Sequence, residues 1–297
     1  MTSPVPPAWL EALFPDSVAA ASPLQWGFRN ETWKVLLVDG RRIAVTRLLD
    51  RRSAGVVPAL VAAVQPRLAG AGLPVPALVG QPGLWPADVL VTTFVDGEPG
   101  AALLAGPSGS GLVGSLCGTA WRQLRQVDPT GLGLPDLWAA SDRLTSAARD
   151  WAAALGPELA ETDRTDLEDS IALLPDFLTG RPATVVHGDL VPANILVRDG
   201  GLAALLDLES VRLADSLLDA GWFDRIVWFH HPGVHPEAWA AFTRAAGLNP
   251  HEPTTRVLLR VLPIIRILEL IHGLDPRARR RALCVTQLLA FLRPGPR

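Results

Sequence analysis

The chain contains no tyrosine, and Lys34 is the only lysine among its 27 Lys and Arg residues. Any duty normally given to a lysine therefore falls to Arg or to Lys34 itself. Charged residues make up only 19% of the chain against 48% hydrophobic, which excludes a disordered protein. The net charge of −3 gives no general attraction to nucleic acid or to anionic membrane, so neither is expected as a partner. The two cysteines, Cys117 and Cys284, fall in apolar helical patterns and read as buried free thiols rather than a disulfide. No basic stretch followed by an apolar core opens the chain, so no signal peptide is expected. The most apolar segment, residues 257–274, is interrupted by Arg260, Arg266 and Glu269, which predicts a buried or amphipathic helix rather than a membrane span. A cytoplasmic globular protein with room for two lobes follows from these absences.

What the chain does have is concentrated between Val185 and Asp207. An apolar run ends in His187-Gly188-Asp189, Asn194 follows five residues after the Asp, and a second apolar run delivers Asp207. Two short strands joined by a turn at Asp199-Gly200-Gly201 would present these polar groups at strand ends. Phosphoryl transfer suits this spacing. One carboxylate orients and deprotonates a hydroxyl, while an Asn oxygen and a second carboxylate hold Mg²⁺ on nucleotide phosphates.

The segment H-G-D-x4-N-x12-D resembles the aminoglycoside phosphotransferase family and its relatives among choline and sugar kinases. The resemblance implies an α+β, bilobal, protein-kinase-like fold, with a small sheet-rich N-lobe over residues 1–95 and a larger, mainly helical C-lobe over 96–297. It implies Asp189 as catalytic base, Asn194 and Asp207 as Mg²⁺ ligands, and ATP or GTP as the phosphate donor. His187 would pack within the loop. Glu209 would support the metal shell or pair with an Arg. Asp215 and Asp219 would cap a helix and brace the loop.

The rest of the chain reads consistently. Residues 24–49 are strand-like around an Asp39-Gly40 turn, and 89–95 form a further strand. Helical periodicity covers 8–14, 56–70 (with Pro66 as a disturbance), 111–127, 136–155, 158–178, 216–231, 236–246, 254–273 and 277–292.

In the first lobe the segment from Leu24 to Val35 resembles the family's nucleotide-covering hairpin. Gly27 would stand at its turn, Asn30 beside it, and Phe94 after the last strand, all three as nucleotide-binding residues. The family's basic residue for the phosphates is matched by Arg47 in Arg42-Ile-Ala-Val-Thr-Arg47, so Arg47 is expected to point into the nucleotide cleft and Lys34 to lie on the surface. Such folds pair that base with a Glu on the next helix. No Asp or Glu stands between Arg51 and Ala87, which leaves Gln65, Asp50 or Glu31 as substitutes.

In the second lobe, Trp222, Ile226 and Phe229 share a helix face and read as core. Asp224, Trp228 and His231 share another face, and with Glu269 they are the candidate acceptor residues. Residues 136–176 hold ten acidic residues against three Arg, which would favour a cationic acceptor. Together these point to a small-molecule O-phosphotransferase, with an antibiotic as the first acceptor class and a metabolite (amino alcohol, amino acid or sugar) as the second. A non-catalytic nucleotide-binding pseudokinase is the competing class.

Overall fold

The computed structural model describes residues 6–24, 30–50, 54–80, 83–275 and 278–293. The first part of the chain runs α1 (Ala8–Leu13), β1 (Val18–Leu24), β2 (Asn30–Leu37), β3 (Arg42–Leu48), α2 (Val56–Gly70), β4 (Val89–Thr93) and β5 (Glu98–Pro99). Helices follow: α3 (Gly100–Leu103), α4 (Pro107–Leu124), α5 (Ser141–Leu155), α6 (Glu161–Ala172) and α7 (Leu174–Leu178). Four short strands come next, β6 (Thr184–Val186), β7 (Ile195–Arg198), β8 (Gly201–Leu205) and β9 (Arg212–Ala214). The chain closes with α8 (Leu217–His230), α9 (His235–Ala246), α10 (Pro253–His272) and α11 (Arg279–Leu292). This is an α+β protein with its sheets in short antiparallel groups.

Two compact units divide the chain. One takes the chain up to Glu98 together with Gly131–Gly133 and Leu196–Glu209; the other takes Pro99–Thr130, Leu134–Ile195 and Ser210–Arg297. The strand pair β7–β8, which the sequence placed in the second lobe, is thus grouped mostly with the first.

The first unit is built on an antiparallel sheet of order β1-β2-β3-β4. Alternation puts Trp33, Val35, Leu37, Ile43, Val45, Val89 and Val91 on one face, where they form a core with Leu10 and Phe14. Burying each such side chain contributes roughly 1.5–3 kcal/mol, so α1 is held by its contact with the sheet. The other face carries Asn30, Thr32 and Lys34 from β2, paired in register with Leu48, Thr46 and Ala44. The Thr32 and Thr46 hydroxyls lie 3.1 Å apart. Strand β1 begins earlier than the sequence suggested. Its run of Ala and Ser has little β-propensity, and Pro23 is tolerated because β1 is an edge strand. Helix α2 runs through Pro66 in its last turns, forgoing the hydrogen bond that an N–H there would give the Ala62 carbonyl.

In the second unit α4 packs closely on α9. A Cβ at Gly114 would come 2.0 Å from the Ala238 carbonyl oxygen, and one at Gly118 would come 2.4 Å from that of Phe242. Only glycine permits that approach. Helix α8 lies on α10 in the same way, with Gly221 against the Leu259 carbonyl at 2.7 Å from a would-be Cβ. Helix α10 is the segment the sequence marked as most apolar, and its N-terminal amides at Thr254 and Thr255 are capped by Glu252. Among the described residues no helix is long and apolar enough to cross a membrane. Cys117 and Cys284 are both buried and free.

Candidate active site

The loop between β6 and β7 carries His187, Gly188, Asp189 and Asn194. Apolar Val185 and Val186 anchor its start in the core, and Pro192 opens the short turn that ends at Asn194. Gly188 sits at φ 76°, and a Cβ there would lie 2.3 Å from the Ser210 carbonyl oxygen. The loop can pass Ser210 only as glycine.

Both sides of this loop are tied down. Asp219, fully buried at the start of α8, accepts the backbone N–H groups of His187 at 2.7 Å and Gly188 at 2.8 Å. Burial pushes the Asp219 carboxyl above its usual range, against the pull of His187 and the two amides. On the other side Arg266 of α10 donates through Nε to the Gly188 carbonyl at 3.1 Å and through a terminal nitrogen to Ser210 Oγ at 3.1 Å. Asp215 pairs with Arg181 and accepts the Leu217 amide at 2.8 Å, which caps α8. Asp189 donates its amide to His187 Nδ1 at 3.3 Å, so His187 packs inside the loop as expected.

The Asp189 carboxylate is held at both oxygens. Trp222 Nε1 donates to Oδ1 at 2.7 Å, and Asn194 Nδ2 donates to Oδ2 at 3.3 Å. Asn194 Nδ2 also donates to the Asp189 backbone carbonyl at 2.9 Å. With its nitrogen committed to Asp189, Asn194 presents its carboxamide oxygen, the kind of ligand a hard cation such as Mg²⁺ takes. Asp207, two residues past the end of β8, sits in the left-handed region, φ 59°, unusual for a non-glycine residue. Among the described residues no group of three or more His, Cys, Asp or Glu side chains is placed to hold a metal.

Several expected site residues are placed differently. Arg47 lies on the sheet face that packs beneath α1. It shares the face of β3 with buried Ile43 and Val45, pairs with Asp88 at 3.3 Å, and lies 5.5 Å over the Trp9 ring of α1. Lys34 occupies the opposite face, with Asn30 and Thr46, and its ammonium lies 4.3 Å over Phe94. The expected nucleotide-binding residue Phe94 thus carries Lys34 on its ring, with Arg42 at 5.8 Å and paired to Asp96. Asn30 is engaged by the protein at both ends of its amide: Nδ2 donates to Glu209, and Oδ1 accepts the Leu49 amide at 3.3 Å. It ties β2 to the turn after Asp207. Glu31 accepts Trp33 Nε1 at 3.0 Å and faces the same side as Arg47. Gly27 lies outside the described residues.

Among the acceptor candidates, Glu269 is engaged within the protein. It accepts from Trp138 Nε1 at 3.2 Å, from Arg212 at 2.9 Å and from Arg266 at 2.5 Å. Burial pushes its carboxyl up, but Arg266 and Arg212 outweigh that and hold it below the usual carboxylate range. It is an anchor for the arginine that holds the Gly188 carbonyl. Asp224 is paired with His235. Trp228 packs beside Phe291 and Arg225. His231 is half-buried, and burial lowers its pKa. Trp222, read from the sequence as core, is the side chain that donates to Asp189 Oδ1. Its burial and its role as donor leave the same trace in a hydrophobic pattern, so periodicity could not separate them.

The family model described as the phosphotransferase enzyme family matches residues 20–258. A search of curated proteins gives no match. Among solved structures, the GDP complex of wild-type aminoglycoside 2'-phosphotransferase-IIIa is 17% identical, covers 95% of this chain and 96% of that one, and superposes with a TM-score of 0.70. The macrolide 2'-phosphotransferase MphH from Brachybacterium faecium is 19% identical over 97% of this chain and 98% of that one, TM-score 0.62. A fructosamine-3-kinase, described as putative, from Thermobifida fusca is 20% identical over 96% of each chain, TM-score 0.60. These likenesses show the kinase-like fold. With most of its length matched by one family model, the chain belongs to the phosphotransferase enzyme family.

Proposed function

We propose that this phosphotransferase moves the γ-phosphate of ATP or GTP to a hydroxyl of a small molecule, with an antibiotic as the first acceptor class. The observation that carries the reading is the Asp189 carboxylate, fixed by Trp222 and Asn194 on a loop pinned from both sides. Asp189 takes the acceptor proton. Asn194 and Asp207 would each offer an oxygen to Mg²⁺, and the ion would supply neutralising charge for the transferring phosphate. Solved neighbours described as ADP- or GDP-bound support the nucleotide, and the cytoplasm is where Mg²⁺ and nucleotide triphosphate are supplied.

Neighbours described as aminoglycoside and macrolide phosphotransferases support the antibiotic class. Glu269 and Asp224 are both engaged within the protein, so two of the carboxylates a polycation would need are already paired. That favours an acceptor of low positive charge, such as a macrolide, over a polycationic aminoglycoside. The second reading is a sugar-derived metabolite kinase, favoured by the neighbour described as a fructosamine-3-kinase.

The test is nucleotide consumption with Mg²⁺ across macrolides, aminoglycosides, glycated amines, sugars and amino alcohols, with products identified by mass spectrometry as one phosphoryl group heavier. Turnover confined to macrolides supports the first reading, and turnover confined to glycated amines or sugars the second. Tight Mg·nucleotide binding with no turnover of any acceptor would establish a pseudokinase instead.

A further inference from the structure

The indole of Trp222 is 3% exposed, and its N–H has the Asp189 carboxylate as its hydrogen-bond acceptor. An indole nitrogen can only donate, so this group has one task. Its position does not depend on Asp189. The ring lies edge-on to Phe291 of α11 with centroids 6.2 Å apart, and the preceding residue, Gly221, seats α8 directly on the α10 backbone. The donor is therefore rigid before any substrate arrives. It meets a carboxylate that would otherwise rotate between two equivalent orientations.

From this geometry we infer that Trp222 is a positioning residue for Asp189. Its N–H holds Oδ1 and so assigns Oδ2, which carries only the longer Asn194 contact, as the oxygen that receives the acceptor proton. The inference rests on Asp189 being the base under the function proposed above. In the step, the acceptor O–H proton passes to Oδ2 as the acceptor oxygen forms its bond to the γ-phosphorus. The bond from that phosphorus to the β-γ bridging oxygen breaks, and its electron pair leaves with the nucleoside diphosphate. A donor at Oδ1 orients the base without approaching the reacting atoms.

Two measurements test this. Trp222→Phe keeps a ring against Phe291 and removes the N–H. It should lower kcat by about ten- to a hundredfold, the scale of a hydrogen bond to a charged group, with KM for both substrates and nucleotide affinity unchanged. Phe242→Leu loosens buried packing on Phe223 and Trp239, away from the Trp222 ring and Asp189, and should lower thermal stability while sparing kcat. If Trp222→Phe does not fold, site-specific benzothienylalanine at 222, a near-isostere without the N–H, replaces it. The second measurement needs no acceptor. By NMR, the Trp222 indole N–H should exchange with solvent slowly in the wild type and at least tenfold faster in Asp189→Ala, the scale of one lost hydrogen bond. A kcat within twofold of wild type in the N–H-free variant overturns the inference, as does equal indole exchange with and without the Asp189 carboxylate. Should no acceptor be found, the exchange experiment still decides whether Trp222 is engaged by Asp189.

Discussion

Asp189 and Trp222 satisfy each other, and the two common substitutions of Asp189 should therefore differ in kind. Asp189→Asn keeps an oxygen for the indole and removes the base, so kcat should fall by about two to four orders of magnitude with little change in stability. Asp189→Ala also removes the acceptor and strands a buried N–H, which costs about 1–3 kcal/mol. Urea denaturation should rank the Ala variant below the Asn variant by that margin; equal midpoints would mean the indole has another partner. Arg47 makes a second case. Its ion pair with Asp88 is well exposed, so Arg47→Ala should cost at most about 1 kcal/mol of stability and leave nucleotide affinity untouched in calorimetry. A tenfold loss of affinity would return Arg47 to the phosphates. The sequence does show that Ile43, Val45 and Arg47 share a face. It also contains the reason that face is closed: two of the three are large apolar residues that must be buried, here beneath α1. Strand alternation fixes which residues go together, and only apolar content tells which side is covered.

At the scale of elements, the loop from His187 to Asn194 is held between α8 and α10. Helix α8 holds its amides through Asp219, and α10 holds its carbonyl through Arg266, with Glu269 fixing Arg266. Glu269 is charged in the fold at a lower pH than in the unfolded chain. It therefore contributes stability above the ordinary Glu pKa of about 4.3, and that contribution is lost as pH falls through the lower folded value. Glu269→Gln should destabilise the protein by roughly 3 kcal/mol or more at neutral pH, because two buried arginines lose their counter-charge. The gap between the two proteins should shrink on acidification below about pH 4. Denaturant midpoints measured across pH check this, and a pH-independent gap would refute it. The helix itself was legible as an apolar stretch with charges in it. That Glu269 turns inward was not, because Trp138 and Arg212, which are far away in sequence, determine it.

Across the whole molecule, the motif that identifies the chain is split between the two compact units. His187 to Asn194 belong to one, and Asp207 and Glu209 to the other, with the division falling between Ile195 and Leu196. The first unit is therefore not a contiguous domain. A fragment of residues 1–98 lacks β7, β8 and the Glu209 carboxylate that ties Asn30. It should show weak, non-cooperative melting by circular dichroism, whereas the whole chain melts cooperatively. An autonomous, sharply melting fragment would show that β7–β8 is dispensable to that unit. The turn read at Asp199-Gly200-Gly201 joins β7 to β8, and helix periodicity matched α2 at both ends. The grouping of β7–β8 could not be read locally, since it depends on contacts such as the Leu205 amide donating to the Pro74 carbonyl at 2.7 Å.

Lys34, the lone lysine over Phe94, gives the protein an analytical handle that few chains of this length possess. Apart from the terminal amine, acylating reagents find a single primary amine to modify. That amine stands on the sheet face that also bears Asn30 and Thr46. A fluorophore or an isotopic acetyl group would thus be installed at one defined address by ordinary amine chemistry, without mutagenesis. The yield of that one adduct, read with and without nucleotide, turns a quirk of composition into a footprint of the face it marks.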